Sequence, residues 1–388
     1  MMDFNNTKIA FQDKSKVDLR RAKLLFKTIE KPWMVKMGKV LLQFALKTRL
    51  PIGWAIKPTI YKHFVGGETI EKCQPVVERL EKSNVKAILD YSVEGTSSEE
   101  GINNAFQETL NSIENAGKHA NIPFAVFKPT AMIDVRVLRK FSFNEKVDEK
   151  DEAQYKAFAD RVDKMSEAAA RNNVRLLIDA EDYWYQKAID DVVESMMEKY
   201  NKNEVVVFNT LQMYRTDRLD YLKNLIQKAR DGKFYAGVKF VRGAYMEKER
   251  DRAEKEGYPS PINPDKESTD KMYNDALRVS MENIDILNIF NGTHNEDSSL
   301  LLAKLMEEQG IKKDDSRLYF SQLYGMSDHI SYNLAASGYN VAKYIPYGPV
   351  RHVAPYLIRR AEENTSVAGQ TGRELSLILK EQKRRKSE

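Results

Sequence analysis

The sequence predicts an α/β chain built as a (β/α)8 barrel. Short apolar runs alternate with longer amphipathic segments from about residue 85 onward, there are eight such runs, and nearly every run ends in a polar or charged side chain. The runs are 86–90, 124–128, 174–179, 205–209, 235–240, 286–290, 318–321 and 341–345. Each is short and rich in branched or aromatic residues, as expected of parallel strands covered on both faces. Between them, 154–171, 186–200, 217–229, 270–283 and 297–309 carry helical spacing. The links from the second to the third run and from the fifth to the sixth are longer than the others. They read as insertions, one holding the Pro-rich stretch 257–264.

Residues 1–84 show no strand pattern and are expected to form an N-terminal helical arm, with 16–29 as an amphipathic helix and Pro32, Pro51 and Pro58 as breakers. Trp33, Trp54 and the apolar stretch 40–46 are expected to pack on the barrel or on a partner subunit. The barrel is expected over 85–370. Residues 371–388 read as a basic C-terminal tail, a disordered end whose dense run is 383–386.

A chain of 388 residues with 42% hydrophobic content can bury a large core. Its 62 Lys and Arg against 57 Asp and Glu are too balanced and too dispersed for a nucleic-acid partner. The single cysteine, Cys73, rules out an intramolecular disulfide and a CxxC metal site and is expected to be inert. No apolar run is long enough to span a bilayer. The N-terminus reads neither as a secretory signal nor as a transit peptide, so a cytoplasmic and bacterial setting is expected.

Barrel enzymes build their sites at the C-terminal ends of the strands. The residues there are Lys128, Asp179 with Glu181, Gln212, Lys239 and Arg242 ahead of Gly243 and Tyr245, then His294, Gln322 and Tyr344. After the last strand come adjacent arginines, Arg359 and Arg360, in an otherwise apolar helical pattern. That pair suits a carboxylate clamp, since a guanidinium matches a carboxylate with paired hydrogen bonds. It suits equally a helical salt bridge to Glu363. Converging cations and amides imply an anionic ligand. The five histidines show no paired metal-ligand spacing, so no metal site is expected, and there is no GxSxG elbow. GxGxxG and GxxxxGK[ST] are also missing, so a nucleotide cofactor must be held by barrel loops. Lys239, Arg242, Thr293 and His294 would suit its pyrophosphate.

The segments LLIDAEDYW around Asp179, FNTLQMYR around Gln212, KFVRGAYMEKER around Arg242, NGTHNED around His294, FSQLYGMSDHIS around Gln322 and YIPYGPVRHVAPYLIRRAEEN around Arg359 occur in order across 174–364, with FKPTA at 127–131 upstream. Together they resemble the motifs of the flavin-dependent proline dehydrogenases. The resemblance implies a distorted TIM-type barrel that binds FAD non-covalently. It implies oxidation of L-proline to Δ1-pyrroline-5-carboxylate, the first step of proline catabolism, by hydride transfer to the flavin, with a quinone accepting the electrons. Carried over, Arg359, Arg360 and Lys128 would bind the proline carboxylate, Tyr245 and Tyr344 would flank the ring, Asp179 would order the site, and Glu363 would pair with the arginines. Gln212, Arg242, Gly243, Ala244 and His294 would line FAD, with Lys239, Thr293 and Gln322 completing that wall.

The resemblance further implies that Tyr344 favours proline over hydroxyproline, since within that family a smaller polar residue there makes room for a hydroxylated ring. Oxidation of hydroxyproline or another cyclic amino acid, or a non-catalytic flavin- and proline-binding barrel, is the alternative. The resemblance also implies peripheral association with a membrane that carries the quinone (a mitochondrial one if the source is eukaryotic). It implies hand-off of the product to a separate pyrroline-5-carboxylate dehydrogenase.

Overall fold

The computed structural model describes residues 3–48, 53–92, 98–366 and 370–388; Pro51 and the side chain of Glu363 lie outside what it describes. Eight parallel strands follow one another in chain order around a closed barrel. They are β1 (Val85–Tyr91), β2 (Phe124–Phe127), β3 (Arg175–Ile178), β4 (Val207–Gln212), β5 (Ala236–Val241), β6 (Leu287–Gly292), β7 (Leu318–Leu323) and β8 (Val341–Tyr347). Strand ends agree with the sequence expectation to within two residues except at β4, which ends three residues later than expected. The buried Asn201 side chain accepts the N–H groups of Val206 and Val207 at 3.0 and 2.9 Å. Those donors are thereby used outside the ladder, and regular pairing begins later.

Contact density divides the chain into Met1–Ser92 with Gln322–Glu388, and Val93–Ser321. In the second unit the rings of Phe124, Phe208 and Phe290 meet at 5.8 and 5.1 Å between centroids. They come from alternate strands β2, β4 and β6, so their contact fills the barrel interior as one side-chain layer. Each such pair contributes roughly 0.5–1.5 kcal/mol beyond its burial. Gly237 on β5 permits this layer, since a Cβ there would lie 2.5 Å from the Val205 side chain and 2.8 Å from the Phe208 ring. The two long links each hold an extra helix, Val135–Ser142 before Glu149–Arg171 and Met246–Glu256 before Lys266–Glu282. Helix Glu149–Arg171 starts earlier than its apolar spacing suggests because Asp148 and Asp151 form a capping box.

In the first unit β1 pairs with β8 from Val85↔Val341 to Tyr91↔Tyr347. Helix Lys16–Ile29 opens on a Ser15–Asp18 capping box and buries Leu19, Ala22, Phe26 and Ile29. The C-terminal segment is not a disordered tail. Residues Gln370–Ser387 are helical, and Leu375, Leu377 and Ile378 pack with Phe11, Leu19 and Phe26. Its basic run is engaged internally. Buried Glu381 accepts from Arg384 and Arg385 at 2.6–2.8 Å, and Arg385 also donates to the carbonyls of Phe11 and Lys14.

Pro32 begins a helix, Pro32–Lys47, where its missing N–H costs nothing. Only one side of that helix packs, through Val35 and Ala45, while Trp33 and Trp54 stand exposed. The expected packing of these aromatics on the rest of the chain is therefore not what forms. Cys73 is buried, and burial pushes its thiol up to about 12, which fits an inert residue.

Candidate active site

Within the unit Val93–Ser321, the strand ends gather a connected polar set. Lys128 follows β2, where Pro129 ends the strand, and its Nζ lies 3.7 Å from Oδ2 of Asp179, just past β3. Lys239 of β5 reaches the other oxygen of the same carboxylate at 2.5 Å. Both lysines are buried and Asp179 nearly so. Three strands thus converge on one carboxylate, which holds two ammonium groups at defined positions at the barrel mouth.

Glu181 is a second hub, one to which sequence reasoning assigns no role. Its Oε1 accepts the Thr130 hydroxyl at 2.7 Å, its Oε2 the Tyr245 hydroxyl at 3.3 Å, and its carbonyl the Gln212 amide at 2.7 Å. Its own N–H donates to Gln186 at 2.7 Å. The same Gln212 accepts from the Ala244 N–H at 3.4 Å, so Gln212, Ala244 and Tyr245 are brought together as the sequence suggests. The available signal is the acidic pair after a strand in LLIDAEDYW.

Arg242 is spread over three acceptors: Asp270 at 2.7 Å, the Thr293 hydroxyl at 2.6 Å and the Ser298 hydroxyl at 3.0 Å, with Tyr273 beneath its guanidinium. Burial alone would raise the Asp270 carboxyl, but Lys266 and Arg242 hold it below the usual range. Thr293 and His294 follow β6, and Asn295 caps helix Glu296–Glu308 by accepting from Ser298 at 2.9 Å. A helix N-terminus beside a fixed guanidinium is suited to a phosphate group. Asp270 and Ser298 as the supports of Arg242 are invisible in the sequence, because they lie 28 and 56 residues away.

Gly243 has φ +133°, and a Cβ there would come within 2.5 Å of the Tyr214 ring. Only glycine can turn the chain here against that ring. Helix Met246–Glu256 follows at once, and its buried Glu249 accepts the Tyr183 N–H at 2.5 Å. Burial pushes the Glu249 carboxyl up to about 7, with Asp182 adding to the effect and the Tyr183 N–H and Arg215 opposing it.

In the unit formed by Met1–Ser92 and Gln322–Glu388, Gln322 of β7 accepts the Ser331 hydroxyl at 2.7 Å. Lys343 and Tyr344 are neighbours on β8 and therefore face opposite ways. Lys343 points outward to Asp328 at 2.8 Å, which directs the buried Tyr344 to the barrel interior. Arg359 and Arg360 lie on helix Val350–Ser366. Arg360 is buried with its guanidinium 5.0 Å from the Tyr356 ring centre, and Arg359 is half-buried. Among the described residues no three His, Cys, Asp or Glu side chains gather as metal ligands would.

Comparison with known proteins bears on the family and the fold. A family model described as proline dehydrogenase matches residues 73–373. The carbapenem antibiotics biosynthesis protein CarD of Pectobacterium carotovorum is 35% identical over 322 residues, covering 83% of each chain. Human mitochondrial proline dehydrogenase 1 is 40% identical over 240 residues, which is 61% of this chain and 40% of that enzyme. Hydroxyproline dehydrogenase of Xenopus laevis is 31% identical over 415 residues, 97% of this chain and 88% of that one. Among solved structures, proline utilization A of Bdellovibrio bacteriovorus, inactivated by N-propargylglycine, superposes with a TM-score of 0.76 at 21% identity. That match covers 95% of this chain and 42% of the longer one, and it speaks for the fold. With its motifs in order and the family model matched from residue 73 to 373, the chain belongs to the proline dehydrogenase family.

Proposed function

We propose that the chain oxidises L-proline to Δ1-pyrroline-5-carboxylate, the first step of proline catabolism, with FAD as cofactor. The observation that carries the proposal is the convergence of Lys128 and Lys239 on Asp179, in a chain whose family match spans the barrel. It fixes cations at the strand ends where an amino acid carboxylate would be held. Arg359 and Arg360, together with Lys128, are the proposed carboxylate anchors, with Glu363 pairing with the arginines. Tyr344 and Tyr245 are proposed to flank the pyrrolidine ring, and Glu181 to hold the Tyr245 hydroxyl in place.

The donor set fits FAD. Arg242, the Thr293 hydroxyl, His294 and the capped helix after β6 offer charge and hydrogen bonds for a pyrophosphate, and Gln212, Gly243, Ala244, Lys239 and Gln322 would complete the cofactor wall. When bound, FAD would supply the acceptor for the hydride that leaves the ring carbon next to nitrogen. The protein's share is to hold that carbon in place through the carboxylate anchors. Lys128, Arg359 and Arg360 also disfavour the protonated ring amine by like-charge repulsion, while the bound carboxylate opposes this.

Electrons are proposed to pass to a quinone, which would bring the protein to a membrane surface, and the product to a separate pyrroline-5-carboxylate dehydrogenase. Loss of the yellow flavin absorbance on adding L-proline tests the reading. No bleaching of an FAD-loaded protein would overturn it. Replacing Arg359 or Arg360 by Met should raise the proline KM by orders of magnitude while FAD stays bound. Equal loss of FAD would assign the pair to the cofactor instead. The match to hydroxyproline dehydrogenase supports a second reading, against which we set the proposed place of the buried Tyr344 beside the ring, where it would take the room of a hydroxyl. Reoxidation of the proline-reduced protein by a soluble quinone, compared with oxygen, tests the acceptor.

A further inference from the structure

We propose that helix Pro32–Lys47 is a membrane-surface helix whose free face beds into an anionic lipid bilayer. Trp33, Met37, Val40, Leu41 and Phe44 recur at spacings of four, three, one and three residues, so they fall within an arc of about 100° on one side of the helix. All five are exposed, from 49% at Met37 to 65% at Val40, while the opposite side packs through Val35 and Ala45. Solvent-facing apolar stripes of this length mark a docking surface. No helix among the described residues is long and apolar enough to cross a membrane, so this one would lie in the interface plane.

Charge identifies the occupant. Residues 31–67 contain seven Lys and Arg and no Asp or Glu, in a chain whose totals are nearly balanced at 62 and 57. Lys39 and Lys57 pair with Glu362 and Glu68, whereas Lys36 and Lys47 are exposed along the edge of the apolar stripe. A second copy of the chain would bring this face onto itself across a two-fold axis, setting lysines against lysines. Anionic headgroups complement the lysines, and the acyl boundary takes the apolar residues, with Trp33 and the 81%-exposed Trp54 suited to the headgroup level. The inference deepens the proposed delivery of electrons to a membrane quinone and rests on that reading only for its purpose. Its test is read by binding, so it can fail while the proline oxidation stands.

The test is co-sedimentation of the FAD-loaded full chain with vesicles of phosphatidylcholine alone and of phosphatidylcholine with phosphatidylglycerol. Binding is expected only to the anionic vesicles and should weaken as salt rises. V40E/F44E should lower the bound-to-free ratio about tenfold or more, with unfolding temperature and proline-driven bleaching unchanged. K36E/K47E, which leaves the apolar residues in place, should lose the salt-sensitive part of the binding. Failure of the unmodified protein to bind, or binding by V40E/F44E equal to it, would overturn the proposal. So would a loss produced only by K383A/K386A, which would assign the contact to the C-terminal helix. A change of oligomeric state in V40E/F44E with vesicle binding intact would show the face to be a self-interface and equally overturn it.

Discussion

Asp179→Asn is the most informative single change, because it keeps the shape of the side chain and removes the charge on which two buried lysines converge. Lys128 and Lys239 are 8% and 5% exposed, so neither ammonium can turn to bulk water without moving the strand ends. Removing one partner of a buried pair typically costs about 3–5 kcal/mol. The asparagine oxygen can still accept one hydrogen bond, which brings the expected loss to roughly 2–4 kcal/mol. Attraction falls with distance, so the 2.5 Å contact to Lys239 should outweigh the 3.7 Å contact to Lys128 by about 1.5 to one. Equilibrium unfolding in denaturant, compared at equal slope, measures the loss, and double-mutant cycles with Lys239→Met and Lys128→Met apportion it. The cycle with Lys239 should give the larger coupling. Stability of D179N within about 0.5 kcal/mol of the parent, with no coupling to either lysine, would refute the charge convergence as a structural element. Stronger coupling to Lys128 would refute the assigned geometry.

Gly243→Ala should weaken FAD retention and lower stability by roughly 1–3 kcal/mol, since a side chain at φ +133° is strained and its Cβ would press on the Tyr214 ring; undiminished flavin content on gel filtration would contradict this. Glu249, raised from 4.5 to about 7 chiefly by burial, holds its proton in the folded state through a window in which the unfolded chain has lost it. Its contribution to stability should therefore fall as pH rises from about 4.5 to 7 and stay lower above, against the opposite contribution of His63, whose imidazole burial pushes down to about 4. Glu249→Gln should remove that slope, being more stable than the parent at pH about 8 by on the order of 1–3 kcal/mol and equal to it below pH about 4.5. Parallel unfolding free energies of the two proteins across that range would be the contrary result. Tyr344→Ser should raise the turnover of hydroxyproline relative to proline, as ratios of kcat/KM; an unchanged ratio would remove Tyr344 from the specificity pocket.

The barrel is legible in the residues because strands covered on both faces must be apolar almost throughout, and because barrel chemistry collects where those strands end. Lys128, Asp179, Gln212, Lys239 and Arg242 are picked out that way as candidates, without knowledge of any contact. What stays hidden depends on partners distant along the chain. Asn201 delays β4 by taking two backbone donors, and Arg242 is fixed by Asp270 and Ser298 from later segments. Glu181 serves Thr130, Gln212 and Tyr245 across 51, 31 and 64 residues. The sequence likewise marks the apolar stretch 40–46 but neither the start of its helix at Pro32 nor which face of that helix is covered. An apolar stripe has the same spacing whether it meets a core, a second chain or a bilayer, and the side facing Val35 and Ala45 is chosen only when the neighbouring helices are in place. Local pattern therefore settles the order and kind of elements, since backbone geometry and burial act on neighbouring residues. The pairing of charges and the choice of exposed face are decided by tertiary structure, because they are set by distances in space.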